Sequence, residues 1–205
     1  MHRIFIAINL PENIKNKLST YEDHWPELPA RWTKKQNLHI TLVFLGDTSD
    51  EELPEICQIV REVVMRHQSF PIDLKKIYYG PPKKPPRPPK FSKEGGEKSS
   101  WEEKFGRPRM VWAEGQKSAE LGDLQKDLVN SLGGQTEKEE RGYAVHITLA
   151  RLKQWGFKNI DPEERPQIDE EINLTFEVNS IEIMESKLKP KGPEYFVLES
   201  INLGK

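Results

Sequence analysis

Histidine and threonine recur two residues apart at two places in the chain, as His39-Ile40-Thr41-Leu42 and as His146-Ile147-Thr148-Leu149. The chain has five histidines, and the placing of two of them in one repeated tetrapeptide points to a shared site assembled from both copies. On an extended strand, residues i and i+2 project to the same side, so each copy presents one imidazole and one hydroxyl to the same space. Imidazole titrates near neutral pH, which lets one copy take a proton while the other gives one. The two hydroxyls can donate hydrogen bonds to anionic oxygens, and Arg151 can neutralise the same oxygens. Such a set suits attack on a phosphodiester, where negative charge grows on the non-bridging oxygens. Arg151 carries a geometric condition. It lies five residues beyond His146, and an unbroken strand would turn it to the opposite face, so the strand must end or bulge before it.

Other chemistries fit less well. Neither motif has the HExxH, CxxC or acidic cluster that would complete a metal shell. Cys57, the one cysteine, falls in an apolar helical pattern, and no G-x-S-x-G elbow offers an activated serine. A phosphate-cradling glycine-rich loop is also missing, which argues against a nucleoside triphosphate as energy source. The expectation is therefore no metal and no cofactor. His2, His24 and His67 read as structural or surface residues. One cysteine leaves no intrachain disulfide and fits a reducing, cytoplasmic setting. The apolar run at the N-terminus is too short for a secretory signal and no later run has bilayer-spanning length, so no membrane segment is expected. A monomer is expected.

The elements that must position the motifs follow from periodicity. Arg3 to Leu10 alternates Ile4, Ile6 and Ile8 with Phe5 and Ala7, which predicts an interior strand. Pro11 opens a helix carrying Ile14, Leu18 and Tyr21 to about His24, and Pro26 and Pro29 end it. Arg31 to Lys34 predicts a short strand. In the first motif Leu38, Ile40, Leu42 and Phe44 alternate with His39 and Thr41, and Gly46 with Asp47 closes the strand. A helix over 49–67, a strand from Phe70 to Tyr79, a strand from Arg109 to Ala113 and a helix from Ala119 to Leu132, ended by Gly133 and Gly134, come next. The second motif strand runs from Tyr143 to Leu149. One strand near Leu174 to Met184 and another from Tyr195 to Ile201 close the chain as a hairpin through the polar turn at 187–192. The predicted fold class is α+β: two similar lobes with antiparallel sheets lining a central cleft and helices packed outside.

A chain of 205 residues is sized for one domain with a sizeable core, here a single catalytic domain over 1–205. Its net charge of −2 is unevenly spread: Lys83 to Arg109 holds nine basic and four acidic residues, a local +5 that leaves about −7 for the rest. The proline- and lysine-rich segment over 81–107 is expected to be an insertion loop, because proline at this density continues neither sheet nor helix. Phe91, Trp101 and Phe105 among its basic groups are what base stacking with phosphate contact would use, or what would pin a solvated loop to the body.

With their flanks, the motifs resemble the 2H phosphoesterase superfamily, and within it the LigT-like RNA 2′,3′-cyclic phosphodiesterases. The resemblance covers nearly the whole chain. It rests on R-I-F-I-A-I-N-L-P from Arg3, R-W-T-K-K-Q-N-L-H-I-T-L-V-F-L-G from Arg31, P-R-M-V-W-A from Pro108, G-Y-A-V-H-I-T-L-A-R from Gly142 and E-S-K-L-K-P-K-G-P-E-Y from Glu185. It implies metal-independent hydrolysis of a 2′,3′-cyclic phosphate at an RNA end, tRNA fragments among the candidates, leaving a 2′-phosphate. It also implies His39 as general acid on the ribose O3′, His146 as general base on water, and Thr41, Thr148 and Arg151 as holders of the phosphate oxygens. The near symmetry of the motifs allows the acid and base to be exchanged. The family usually has a shorter connection before the P-R-x-x-W-A strand, so the insertion is a departure. A 2′,5′-phosphodiesterase or tRNA-half ligase using the same cleft, and a non-catalytic RNA-binding module using the basic insertion, are the alternative readings.

Overall fold

Five consecutive buried residues, Ile4 to Ile8, make the first strand, β1 (His2–Asn9), an interior one with both faces covered. It lies between β3 (His39–Thr48) and β8 (Ser180–Lys189), and the strands β2 (Ala30–Trp32), β4 (Phe70–Gly80), β5 (Met110–Gly115), β6 (His146–Leu152), β7 (Asp169–Val178) and β9 (Gly192–Asn202) complete the set. The computed structural model describes residues 1–81, 108–133, 136, 143–190 and 192–204. Apart from Pro81, the insertion expected at 81–107, with Phe91, Trp101 and Phe105, lies outside those residues, and so does Gly134.

The strands pair antiparallel in the order β7-β4-β5-β6-β3-β1-β8-β9, with the short β2 attached to β6. The two expected lobes are the two halves of this one sheet, β6-β5-β4-β7 and β3-β1-β8-β9, each led by a motif strand. They join at a single paired position, Ile40 opposite Ile147. Curvature follows from the connections. Asn179 alone links β7, at one edge of the sheet, to β8, the neighbour of the other edge strand, and the Asn179 carbonyl accepts from Leu203 N–H at 2.9 Å. One residue spans a few ångströms at most, so the sheet curls until its two edges approach each other.

As expected, helices pack on the outside of the sheet, on the face opposite the one that lines the cleft. α2 (Leu53–Val64) buries Ile56, Val60, Val63 and Val64, and α3 (Ala119–Leu132) buries Leu121, Leu124, Leu128 and Leu132. Each such side chain contributes on the order of 1.5–3 kcal/mol. Ser118 caps α3, its Oγ accepting from Leu121 N–H at 3.1 Å, as serine at this position does. α1 (Glu12–Ser19) adds Ile14 and Leu18 to the same core. Ile40, Leu42, Ile147 and Leu149 of the motif strands belong to this core too, which leaves their alternate side chains on the opposite, open face. No helix among the described residues is long and apolar enough to cross a membrane.

The structure alters several expected elements. The helix expected to His24 is α1 followed by a 3-10 turn over Thr20–His24. β3 does not close at Gly46 but passes through it, at φ 75, and continues to Thr48. β6 begins at His146 rather than Tyr143 and runs on to Leu152. The single strand expected near 174–184 is two strands in different halves of the sheet, because the chain passes from β7 to β8 still extended, without a turn sequence to mark the change. A one-turn helix, α4 (Gln154–Lys158), follows β6.

Candidate active site

The first seven residues of β3 and of β6 share one burial pattern, with half-buried His and Thr alternating with buried Ile and Leu. Burial of the aliphatic side chains fixes the register of each strand, since a slip of one residue would put every one of them on the wrong face. His39, Thr41, His146 and Thr148 therefore share the open face. With Ile40 opposite Ile147, antiparallel continuation lays His39 towards Thr148 and Thr41 towards His146, so the two imidazoles sit diagonally across the junction.

Both rings are held in the same way. His39 Nδ1 lies 2.7 Å from the carbonyl oxygen of Asn37, and His146 Nδ1 lies 2.8 Å from that of Ala144. A carbonyl only accepts, so Nδ1 carries the hydrogen in each ring and Nε2 is the free basic nitrogen. At His39 that Nε2 accepts from the Thr41 hydroxyl at 2.9 Å. Burial pushes the His39 pKa down to about 4, with the charges of His146, Lys15 and Arg151 acting in the same direction and the Asn37 hydrogen bond against it. Burial likewise lowers His146, helped by Arg151 and opposed by the Ala144 carbonyl. Both imidazoles are neutral at pH 7 in the free protein.

Arg151 meets its geometric condition. The pairing of β5 with β6 shifts by one residue between Val111 and Trp112, leaving Leu149 without a partner. That extra residue reverses the alternation of side chains, so Arg151 returns to the face of His146 and Thr148. Its Nη1 is 3.6 Å from Met110 Sδ, and Thr148 Oγ1 is 4.0 Å from the same sulfur. The pairing of β1 with β3 shifts at the equivalent residue, Leu42, and brings Phe44 to the place that corresponds to Arg151. The two halves of the site therefore differ at one position, cationic beyond His146 and aromatic beyond His39.

Sequence reasoning missed the residues that support the rings. Trp112 stacks on His146, with centroids 3.9 Å apart and planes 25° apart. A Cβ at Gly80 would come within 2.3 Å of Trp112 Cδ2, so glycine there is what lets the indole lie against β4. On the other side, His39 packs between Phe5 and the edge of Tyr195, each 5.1 Å away between centroids. Phe5, Ala7 and Met184 form a small apolar cluster under this ring, with Tyr195 against it. The buried Asn37 donates from Nδ2 to the Pro193 carbonyl at 2.8 Å, tying the start of the motif to the hairpin that carries Tyr195. The Tyr195 hydroxyl is pushed up by burial, against the pull of the nearby charges of Arg151, Arg3 and Arg31. The strand positions of Phe5 and Trp112 were legible, but their partners depend on long-range register that no local pattern reports.

His2, His24 and His67, expected as structural or surface residues, each face a carboxylate: His2 those of Glu185 and Asp50, His24 that of Glu170, and His67 that of Asp127. Among the described residues no three His, Cys, Asp or Glu side chains gather as a metal-holding group. The open face thus presents two basic Nε2 atoms, two hydroxyls and a guanidinium in one place. Such a group can cradle a tetrahedral anion and move protons at opposite ends of it.

The family described as LigT like Phosphoesterase matches residues 8–89 and 111–195. The RNA 2′,3′-cyclic phosphodiesterase of Methanocaldococcus jannaschii is 28% identical over 200 residues, 96% of this chain and 98% of that one. The enzyme of the same name from Thermus thermophilus is 29% identical over 207 residues, 98% of this chain and 90% of that one. Among solved structures, a Thermus thermophilus protein superposes with a TM-score of 0.74 at 26% identity, covering 99% of each chain. E. coli LigT complexed with 3′-AMP superposes at 0.72 and 21% identity, covering 100% of this chain and 99% of that one, which shows a common fold.

Proposed function

The chain belongs to the LigT-like phosphoesterase family, and from that premise we propose that it hydrolyses 2′,3′-cyclic phosphates at RNA or nucleotide ends to 2′-phosphates, by two-histidine acid and base catalysis without a metal. The observation that carries this reading is the matched pair of Nδ1–H donations to the Asn37 and Ala144 carbonyls, which turns the basic Nε2 of both rings onto the open face. His146 Nε2 takes a proton from the attacking water as its oxygen bonds to phosphorus. His39 Nε2 gives a proton to O3′ as the P–O3′ bond breaks. Thr41, Thr148 and Arg151 hold the non-bridging oxygens, where charge develops. At the end His146 is protonated and His39 neutral, and exchange with solvent restores the starting state. A monomer in the reducing cytoplasm, with Cys57 free, is the setting this reading carries.

Incubation of the purified protein with adenosine 2′,3′-cyclic phosphate in EDTA is expected to give 2′-AMP. No product from either the nucleotide or cyclic-ended RNA, with folded protein, would overturn the proposal. The resting state makes a second prediction. Since both imidazoles are held neutral in the free protein, the acid gains its proton when an anion arrives, and anion binding is coupled to proton uptake. Sulfate, whose charge is constant between pH 6 and 8, is therefore expected to bind more tightly at pH 6 than at pH 8 by calorimetry. A pH-independent affinity contradicts this coupling.

A further inference from the structure

Arg31 stands next to the proposed mechanism but takes no part in it. β2 pairs antiparallel with β6 so that Arg31 lies directly opposite Arg151. Directly opposite residues share a face of the sheet, with Cβ atoms about 4.5–5.5 Å apart, so Arg31 opens onto the same side as the guanidinium beside the histidines. Like charges in that relation repel, and among the described residues neither arginine has a carboxylate partner. The Arg31 side chain reaches towards the β8–β9 hairpin, its Nη1 lying 3.7 Å from where a Cβ of Gly192 would stand. Its charge is felt at Tyr195, whose ring rests edge-on against His39.

Two guanidinium groups side by side on one face call for two anionic groups. An RNA end supplies two kinds: the cyclic phosphate that reacts and the phosphodiester on the 5′ side of the same nucleotide. Arg151 shares its surroundings with Thr148 and the histidines, which assigns it to the first. We propose that Arg31 forms a subsite for the second, the phosphate on the 5′ side of the terminal nucleotide, so that the protein favours RNA ends and 5′-phosphorylated nucleotides over nucleoside cyclic phosphates. The inference rests on the reading of the site as a cyclic phosphodiesterase.

The test compares kcat/KM for 5′-phosphoadenosine 2′,3′-cyclic phosphate with that for adenosine 2′,3′-cyclic phosphate. A charge-assisted hydrogen bond to phosphate corresponds to a preference of about tenfold or more for the first substrate. Arg31→Gln is expected to bring the ratio near one, and Arg31→Lys to restore part of it, since lysine keeps the charge but not the two-pronged geometry. A wild-type ratio near one, or a ratio that Arg31→Gln leaves intact, overturns the proposal. Binding of adenosine 2′,5′-bisphosphate against 2′-AMP, measured by calorimetry, reads the same subsite without turnover. If the wild type hydrolyses neither substrate, the functional reading fails, and equal affinity for the two ligands then overturns the subsite independently.

Discussion

His39 occupies surroundings that favour its neutral form, and this has a consequence for folding. Its pKa of about 4 lies below the ordinary 6.5 of an exposed imidazole. Between those values the unfolded chain binds more protons than the folded one, so stability is fully present above pH 6.5 and is lost as the pH falls towards 4. The shift corresponds to roughly 3 kcal/mol. His146 is lowered too and acts in the same direction. His2, raised by its hydrogen bonds to Glu185 and Asp50, acts in a different window, losing its contribution as the pH rises above 6.5. Urea unfolding at pH 7 and pH 5 is expected to show a smaller acid loss for His39→Gln than for the wild type, and equal losses would contradict the environment described for this ring. The two histidines and threonines were legible in the sequence because i and i+2 on a strand need no tertiary information to share a side. Arg151 was legible as a residue but not as a direction, because the unpaired Leu149 that turns it inward is an ordinary strand residue with no local mark.

Strands and helices with clear periods, such as β1, β4 and α3, fall where the sequence predicts them. Elements were lost where periodicity had nothing to report. α4 is one turn long, too short for a helical repeat to show. β7 and β8 read as one because a single residue, Asn179, carries the chain extended from one half of the sheet to the other. Pairing between elements is also where the support of His146 lies. Gly80 of β4 leaves room for Trp112 of β5, and Trp112 carries the ring. Gly80→Ala forces the indole to move, an overpacking that costs about 1–3 kcal/mol. The expected result is a lower thermal midpoint together with a lower kcat on a cyclic nucleotide. Wild-type values of both would show that Trp112 does not position His146.

In the whole molecule, two four-strand halves of one curled sheet meet where the two motifs meet. The repeat in the sequence announced two similar lobes, and the mirrored strand orders bear that out; the joining of their sheets through one residue pair was beyond the reach of any local pattern. This junction places both imidazoles on one side of one surface, while α2 and α3 fill the other. Neither motif strand presents a complete site, so the account stands on both histidines acting together. The most direct measurement is the turnover of adenosine 2′,3′-cyclic phosphate in EDTA by wild type, His39→Ala and His146→Ala, with circular dichroism confirming the fold of each. Loss of a positioned general acid or base costs about 10²–10⁴ in rate, and a loss of that size is predicted for each variant alone; near wild-type turnover by either one, in folded protein, would contradict the account.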